Sequence, residues 1–504
     1  MATDKDTTLA ALDAAAVSVA TARALVVQSW PDPPPVPLPP SQDIRVAAGA
    51  NLQAAYDAAL PGQRLLLDPA GVWPSLVLRK KGAGGPIEVT TDGAADLPGQ
   101  QLTSGAGLAK IGGGPGPAIS TDPGGGNAHL HNLELLPTTD TARFSTVVYL
   151  GTGMEHAVAD LAHTVTLRRI YSVVDWTKQT QRRFVRAECT DFALVDSYVA
   201  GYNYKTPDDA QAVIVTNSPG PFLFRNCYLE ATGENFLMGG GDPQITNLVP
   251  GEAGTLIHRC KFFKPLIWKT ALRGFVKCNF ELKNAKNVLV DECVFENCWT
   301  DAQTGRLILL TVRNQDNSAP WSTLNNIEIR NSRLVGAETE SVLILGIDDK
   351  PGVTSVRATG LKFSNVQFEK APRGFLLNRG ADGVTLEHCT FADIRGYFLS
   401  FEGTPTDHFS FVHNLARSGN YGVHSPTAGL GLPTLVAWAP GYVWGVNAVE
   451  KSTNATTYLK LPPGTTWINA GAITYDTAAG RYQPLITGAD GVPVGADLSK
   501  NTLP

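Results

Sequence analysis

One eight-residue pattern recurs along most of the chain, and it restricts the possible folds more than any other feature. Its positions are apolar, any, apolar, any, polar, small or apolar, any and apolar, as in FLFRNCYL from Phe222 and VLVDECVF from Val288. The copies are 23 to 39 residues apart, measured between their sixth positions. Those sixth positions are Leu133, Ile170, Ser197, Cys227, Cys260, Cys293, Ser332, Val366, Cys389 and Asn414. This period is typical of a solenoid, and strand-rich coils of this size predict an all-β, right-handed parallel β-helix.

A second strand pattern precedes the first in many coils, for example QAVIVTN from Gln211 and SVLILGI from Ser341. Each coil is therefore expected to contain at least two strands. Cysteine recurs at the sixth position, where a small apolar side chain stacks on its equivalents in neighbouring coils. The chain has seven cysteines and no CxxC spacing, which argues against a disulfide framework or a zinc site.

The chain divides into four predicted segments. Residues 1–30 have one apolar helical stripe, which predicts a docking or oligomerisation helix, or alternatively a helix packed on its own domain. Residues 31–42 include PDPPPVPLPP and predict a semi-rigid neck. We expect the β-helix over 43–424, with a capping helix near its start, and an irregular β cap over 425–504.

Composition narrows the classes of partner. The net charge is −5 and only 17% of residues are charged, which disfavours nucleic acid as a partner. No run of eighteen apolar residues predicts a membrane span. Asp4 and Asp6 disrupt the basic start that a signal peptide needs, so no signal peptide is predicted. Histidines that fall on the repeat do not indicate a metal, and no cofactor is predicted.

Charged residues on neighbouring coils are the candidates for chemistry. If the coils stack in register, some of these side chains lie close together on one face of the solenoid. Two carboxylates at such a place suit glycoside hydrolysis. A carboxylate beside a cation suits elimination from a uronate instead. The alternative is that these residues satisfy backbone groups in turns or form structural ladders. The predicted catalytic residues are Glu234, Asp242, Asp301 and Asp316, and the predicted substrate-binding residues are Arg306, Arg313, Lys283 and Lys264.

Several segments carry a resemblance to a known family. DDAQAVIVTNSPGPFLFRNCYLEATGENFLMGGGDPQITNLVP (208–250) and FELKNAKNVLVDECVFENCWTDAQTGRLILLTVRNQDNSAPWS (280–322) resemble right-handed, pectate-lyase-like parallel β-helix proteins of soil bacteria. That family implies the fold and assigns no catalytic residues. The helix and proline neck resemble the N-terminal organisation of bacteriophage tail spikes and fibres.

The second resemblance implies a virion-associated, homotrimeric adhesion protein. It would join a larger assembly through its N-terminus and contact a cell-surface polysaccharide, in a virion or extracellular location. Two alternatives stay open, namely a polysaccharide-cleaving hydrolase or lyase on a β-helix scaffold, and a purely structural virion or shell component.

Overall fold

The computed structural model describes residues 43–139, 145–204, 208–272, 274–451, 460–477, 481–484, 486–499, 501 and 503–504. The predicted N-terminal helix and proline neck lie outside these residues. The predicted parallel β-helix is confirmed, since the strands pair in parallel from one coil to the next in three ladders. In the described part of the chain, no helix has the length and apolar character that crossing a membrane requires.

Each ladder takes about one strand from every coil. Ladder one contains Asp43–Val46, Arg64–Leu67, Ile87–Thr91, the first part of Gly126–Leu136 and of Ala162–Val173, Cys189–Val195, Phe222–Arg225, Thr255–His258, Ala285–Asp291, Leu324–Arg330, Thr359–Ser364, Asp382–Glu387, Ser410–Val412 and Val443–Trp444. Ladder two contains Val72–Trp73, Lys110–Gly112, the second part of Gly126–Leu136 and of Ala162–Val173, Tyr198–Tyr202, Tyr228–Ala231, Lys261–Phe263, Val294–Cys298, Arg333–Ala337, Gln367–Glu369, Thr390–Phe391, Leu415–Arg417, Ala448–Glu450 and Thr466–Ile468. Ladder three contains Leu76–Leu78, Ile119–Thr121, Thr146–Leu150, Arg183–Ala187, Gln211–Val215, Glu234–Met238, Cys278–Leu282, Ile308–Thr311, Glu340–Leu345, Arg373–Asn378, Tyr397–Glu402, Gly422–Ser425 and the antiparallel Gly429–Leu430.

Short helices lie between some of the strands, and two hairpins follow the last strand of ladder two. Helix α1 (Leu52–Ala58) lies beside the first coils, and the side chain of Asn51 caps it by accepting from the Ala54 N–H at 3.0 Å. Helix α2 is Trp268–Ala271 and α3 is Leu432–Trp438, and a 3₁₀ turn covers Val158–Asp160. Ladders one and two continue past residue 424. Antiparallel pairs follow at Thr474–Asp476 with Arg481–Gln483 and at Ile486–Thr487 with Pro493–Val494.

The polar fifth position of the repeat makes the bend between ladders one and two. Its residues have left-handed backbone angles, for example φ 53° at Asn226, Arg259 and Glu292. Asparagine adopts this conformation readily, whereas for long side chains it is uncommon and costs about 1 kcal/mol or more. The bend turns the chain in each coil without inserting a glycine.

The sixth position then points into the core, as the sequence predicts. All seven cysteines are free and buried, and the core position predicted for Cys227, Cys260, Cys293 and Cys389 is confirmed. The backbone N–H at this position donates to the sixth-position side chain of the next coil, from Cys293 to Ser332 Oγ at 3.0 Å and from Cys389 to Asn414 Oδ1 at 2.8 Å. Small polar and sulfur side chains recur there because they are compact and can accept this bond.

Candidate functional site

Polar side chains line up across ladder three where its strands begin. The register places Arg183, Gln211, Glu234 and Cys278 on four successive strands. Arg183 Nε donates to Gln211 Oε1 at 2.7 Å, and Gln211 Nε2 donates to Glu234 Oε2 at 2.9 Å. This chain of bonds fixes the orientation of the Glu234 carboxylate, whose side chain is 0% exposed.

A lysine links Glu234 to a second carboxylate. Lys277 Nζ lies 3.4 Å from Glu234 Oε1 and forms a shorter ion pair with Asp209. Asp209 and Lys277 both stand just before strands of ladder three, on coils either side of Glu234, and both side chains are partly exposed. Among the described residues, Glu234 Oε1 has no hydrogen-bond donor. The interaction of this oxygen is thus the ion pair with Lys277.

Glu281 and Lys283 extend this group along the next strand. Glu281 lies between the core residues Phe280 and Leu282, so strand alternation places its carboxylate on the outer face. Its Oε1 accepts from Thr311 Oγ1 at 3.2 Å, and its Oε2 lies 3.7 Å from Lys283 Nζ. We call Asp209, Glu234, Lys277, Glu281 and Lys283 the ladder-three cluster.

Burial and charge separate the pKa values of the three carboxyl groups. Burial, with the charge of Glu234, raises the pKa of Asp209 to about 6. Burial also raises the pKa of Glu281, although Lys283 opposes it. At Glu234, burial is outweighed by Lys277 and Lys283, so its pKa lies below the usual value. Near neutral pH, Glu234 is therefore a fixed anion while Asp209 titrates close by.

The charged groups around Lys277 keep its side chain protonated. Burial acts to lower the pKa of Lys277, but Glu234 and Asp209 outweigh it and the pKa is raised. Lys277 is thus a permanent cation beside a carboxyl group that titrates near pH 6. This pairing of a proton acceptor with a fixed cation is the type of perturbation found at functional sites.

The row of polar side chains continues past the cluster. In the ladder register, Arg306 follows Cys278, and Glu340, Arg373 and Tyr397 follow in turn. Glu340 is almost fully buried and accepts from Arg306 Nε at 2.8 Å and from Tyr397 OH at 2.9 Å, and Arg373 Nη1 lies at 2.9 Å. The two arginines remain partly exposed. Because two arginines lie beside one glutamate, this part of the face has a positive local charge and favours anionic groups.

Asp242 and Asp316 meet at a loop, at the opposite end of the strand from Glu234. The buried Asp242 carboxylate accepts from the backbone N–H groups of Gln315, Asp316 and Ser318 at 2.6, 3.0 and 2.9 Å. It also accepts from Ser318 Oγ at 2.9 Å. Asp242 therefore fixes the shape of this loop, and the side chain of Asp316 is exposed on it.

The remaining predicted residues lie apart from the cluster or beneath it. Asp301 is exposed and accepts from the Val276 N–H at 3.4 Å, next to Lys277. Arg313 Nη1 binds two aspartates, Asp348 and Asp349, at 2.6 Å each. Lys264 is fully buried and donates to protein acceptors alone. The structure thus places Glu234 and Lys283 together, with Arg306 on the same row, and separates the others.

The sequence pattern does not identify Asp209, Gln211 and Arg183 as members of this site, and it does not identify Lys277 as a ligand-binding residue. Glu234 follows Gln211 by 23 residues, but Cys278 follows Glu234 by 44. The longer spacing includes α2, so counting residues does not show which side chains become neighbours. Within the described ranges, no group of three or more His, Cys, Asp or Glu residues is arranged to hold a metal ion.

Comparison with solved structures confirms the fold. The chain is similar to a PL6 family alginate lyase, AlyGC, with a TM-score of 0.57 and 12% identity over 92% of this chain. It spans 56% of the length of that lyase. At this identity the likeness establishes the parallel β-helix and nothing finer.

Two weaker similarities involve proteins of other activities. The A-module of the mannuronan C-5 epimerase AlgE6 from Azotobacter vinelandii matches with a TM-score of 0.37 and 14% identity, over 80% of this chain and 88% of that one. The tailspike gp49 of Acinetobacter baumannii bacteriophage Fri1, a capsular polysaccharide depolymerase, matches with a TM-score of 0.35 and 11% identity, over 86% and 63%. No family model matches the sequence, and no curated protein matches it.

Proposed function

We propose that this protein binds an acidic polysaccharide along the outer face of ladder three and cleaves it by elimination at the ladder-three cluster. The observation that carries the proposal is the ion-paired group of Asp209, Lys277 and Glu234. It combines a carboxyl group that titrates near pH 6 with a cation held by a buried anion. Arg306 and Arg373, farther along the same face, supply positive charge for further acidic sugars.

The role of each cluster residue in the proposed elimination follows from its exposure and its charge. Ionised Asp209 takes the proton from the carbon next to the uronate carboxylate, and Lys277 and Lys283 stabilise the charge that develops there. The electron pair forms a carbon–carbon double bond as the bond to the glycosidic oxygen breaks. Protonated Asp209 then returns its proton to that oxygen. Glu234 is buried and serves as a positioning residue that keeps Lys277 charged and in place.

The geometry favours elimination over hydrolysis. A glycoside hydrolase needs two carboxyl groups that flank the scissile bond with space for the sugar between them. Here the ammonium group of Lys277 stands between the carboxylates of Asp209 and Glu234. A cation in that position suits neutralisation of a uronate carboxylate, and it blocks a glycosidic oxygen from lying between the two acids.

The test measures cleavage of polyuronates and of matched neutral polysaccharides by the full chain. Elimination generates an unsaturated uronate that absorbs ultraviolet light, whereas hydrolysis releases reducing ends without that absorbance. Asp209→Asn and Lys277→Met keep side-chain size and remove charge, so both are expected to lower the rate at least a hundredfold. Asp316→Asn is the matched control, because Asp316 is exposed and lies outside the cluster.

Each result decides between explanations. Ultraviolet-absorbing product that depends on Asp209 and Lys277 supports the proposal. Reducing ends without absorbance indicate a hydrolase. Binding of acidic polymers without cleavage indicates an adhesin, and loss of activity in Asp316→Asn alone would place the site elsewhere.

We also propose that residues 1–42 attach the protein to a larger assembly and that the protein is a homotrimer that acts in a virion or extracellular setting. The support is the apolar helical stripe followed by the proline run, a pattern that leaves the helix in need of partners. Light scattering on the full chain and on a variant lacking residues 1–40 tests this. A monomeric full chain would contradict it, and a trimer that is lost on truncation supports it.

A further inference from the structure

A cleft over the first coils of ladder one is separate from the ladder-three cluster. It has a volume of about 330 Å³, which is near the lower limit for sites that bind small molecules. Two outward rows of side chains form its floor. One row is Asp43, Arg64, Glu88, His129 and Thr166, and the other is Arg45, Leu66, Thr90, His131 and Arg168.

A loop that includes residues 92–102 forms one side of the cleft, and distant coils hold this loop in place. The Gly99 N–H donates to Asp196 Oδ2 at 2.8 Å, and the Leu102 N–H donates to the Asp196 carbonyl at 2.9 Å. Asn226 Nδ2 donates to the Gly99 carbonyl at 3.2 Å. Arg169 Nη1 donates to the Gln100 carbonyl at 2.7 Å. These bonds preform the cleft, so a ligand does not need to order the loop.

Each carboxylate of the cleft already lies beside a basic side chain. Arg64 pairs with Asp43 at 2.7 Å, and His131 lies 3.8 Å from Glu88. Close ion pairs join Arg45 to Asp92 and Arg168 to Asp96. The cleft therefore has little net charge to offer a strongly charged ligand, but it presents donors and acceptors side by side.

His129 is the titratable group of the floor that stays outside these pairs. It stands between Glu88 and Thr166 in the strand register. Within the described residues its ring forms no hydrogen bond or ion pair with the protein. Burial lowers its pKa to about 4, so the imidazole is neutral near pH 7 and presents one donor and one acceptor.

We propose that this cleft is a second carbohydrate site, specific for a neutral mono- or disaccharide. A sugar hydroxyl both donates and accepts, which matches a floor where arginines alternate with carboxylates and a neutral imidazole. A uronate would place its carboxylate against Asp43, Glu88, Asp92 and Asp96 and would have to compete for the arginines that already pair with three of these groups. The site is independent of the proposed elimination, since it lies on a different ladder.

The test measures binding to the full chain of maltose, lactose, cellobiose, mannobiose and chitobiose, and of glucuronate and galacturonate, by saturation-transfer NMR and calorimetry. Ala94→Trp introduces a bulky side chain at the wall of the cleft and removes no existing pair. His129→Ala removes the unpaired imidazole. His408→Ala is the matched control, because His408 is exposed and pairs with Asp382 near the other end of ladder one.

We expect at least one neutral sugar to bind, with affinity reduced at least tenfold by Ala94→Trp and at least threefold by His129→Ala, and unchanged by His408→Ala. Circular dichroism establishes that each variant is folded, and if Ala94→Trp is not, His129→Ala decides. The proposal is wrong if no neutral sugar binds, if the uronates bind more tightly, or if both cleft variants bind as the wild type does.

Discussion

Lys264→Met is expected to destabilise the coil that carries Glu234 while leaving the outer surface unchanged. Lys264 Nζ donates to the carbonyls of Ala231, Thr232 and Gly233 at 2.6, 2.9 and 3.0 Å and to Asn235 Oδ1 at 2.9 Å. These acceptors surround the bend from which the strand of Glu234 begins. Methionine has a similar length and cannot donate to any of them.

The size of the stability loss expected for Lys264→Met follows from two opposing effects. The three N–H groups of the ammonium serve four buried acceptors, of which the Gly233 carbonyl keeps the Cys278 N–H as a second donor at 3.2 Å, and each acceptor left without a partner costs about 1 kcal/mol or more. Removing a buried ammonium also removes its desolvation cost, which offsets part of this loss. Because one member of a buried charged network is removed without its partners, we expect a net loss of about 3–5 kcal/mol.

Urea unfolding followed by tryptophan fluorescence measures the loss, and its pH dependence identifies the cause. Burial lowers the pKa of Lys264 from its usual 10.5, so the folded state binds fewer protons than the unfolded state between the two values. The stability of the wild type is therefore expected to rise with pH across that window, and this contribution should be absent from Lys264→Met. A loss below about 1 kcal/mol, or weakened polysaccharide binding at unchanged stability, would refute the structural role of Lys264.

Three further outcomes test other parts of the structure. The elimination rate is expected to rise with pH through about 6, because the pKa of Asp209 is raised to about 6 and only the ionised carboxylate accepts a proton. A rate that does not change with pH would contradict this role of Asp209. Lys370 has a φ of 50°, a left-handed backbone angle that glycine adopts freely and a β-branched residue does not. In urea unfolding, Lys370→Val should therefore lower the unfolding free energy by about 1–2 kcal/mol, whereas Lys370→Gly should not lower it. Thiol titration should detect few groups in the folded protein and seven after unfolding, because all seven cysteines are buried, and several reactive thiols in the folded state would contradict the stacked core.

The repeat pattern predicted the coils because alternation and bend chemistry are local properties. It located the inward sixth position correctly, including Cys227 and Cys293. It did not predict that Arg259 and Glu292 adopt left-handed angles, since long side chains rarely do so. Tertiary stacking outweighs local preference at those bends.

The ladder-three cluster was harder to predict because its members come from coils of unequal length. Charge and position in the repeat identify Glu234 and Lys283 as candidates, but Asp209 and Lys277 become their neighbours only through the register of the strands. Lys264 illustrates the opposite difficulty. A lysine is almost always exposed, so sequence offers no signal that this ammonium is buried under a bend.

The most direct test of the central claim is a crystal structure of Asp209→Asn bound to a polyuronate fragment. We predict that the fragment lies along the outer face of ladder three, with a uronate carboxylate at Lys277 and Lys283 and further sugars towards Arg306 and Arg373. A fragment bound on another face, with the ladder-three cluster unchanged and unoccupied, would contradict the account.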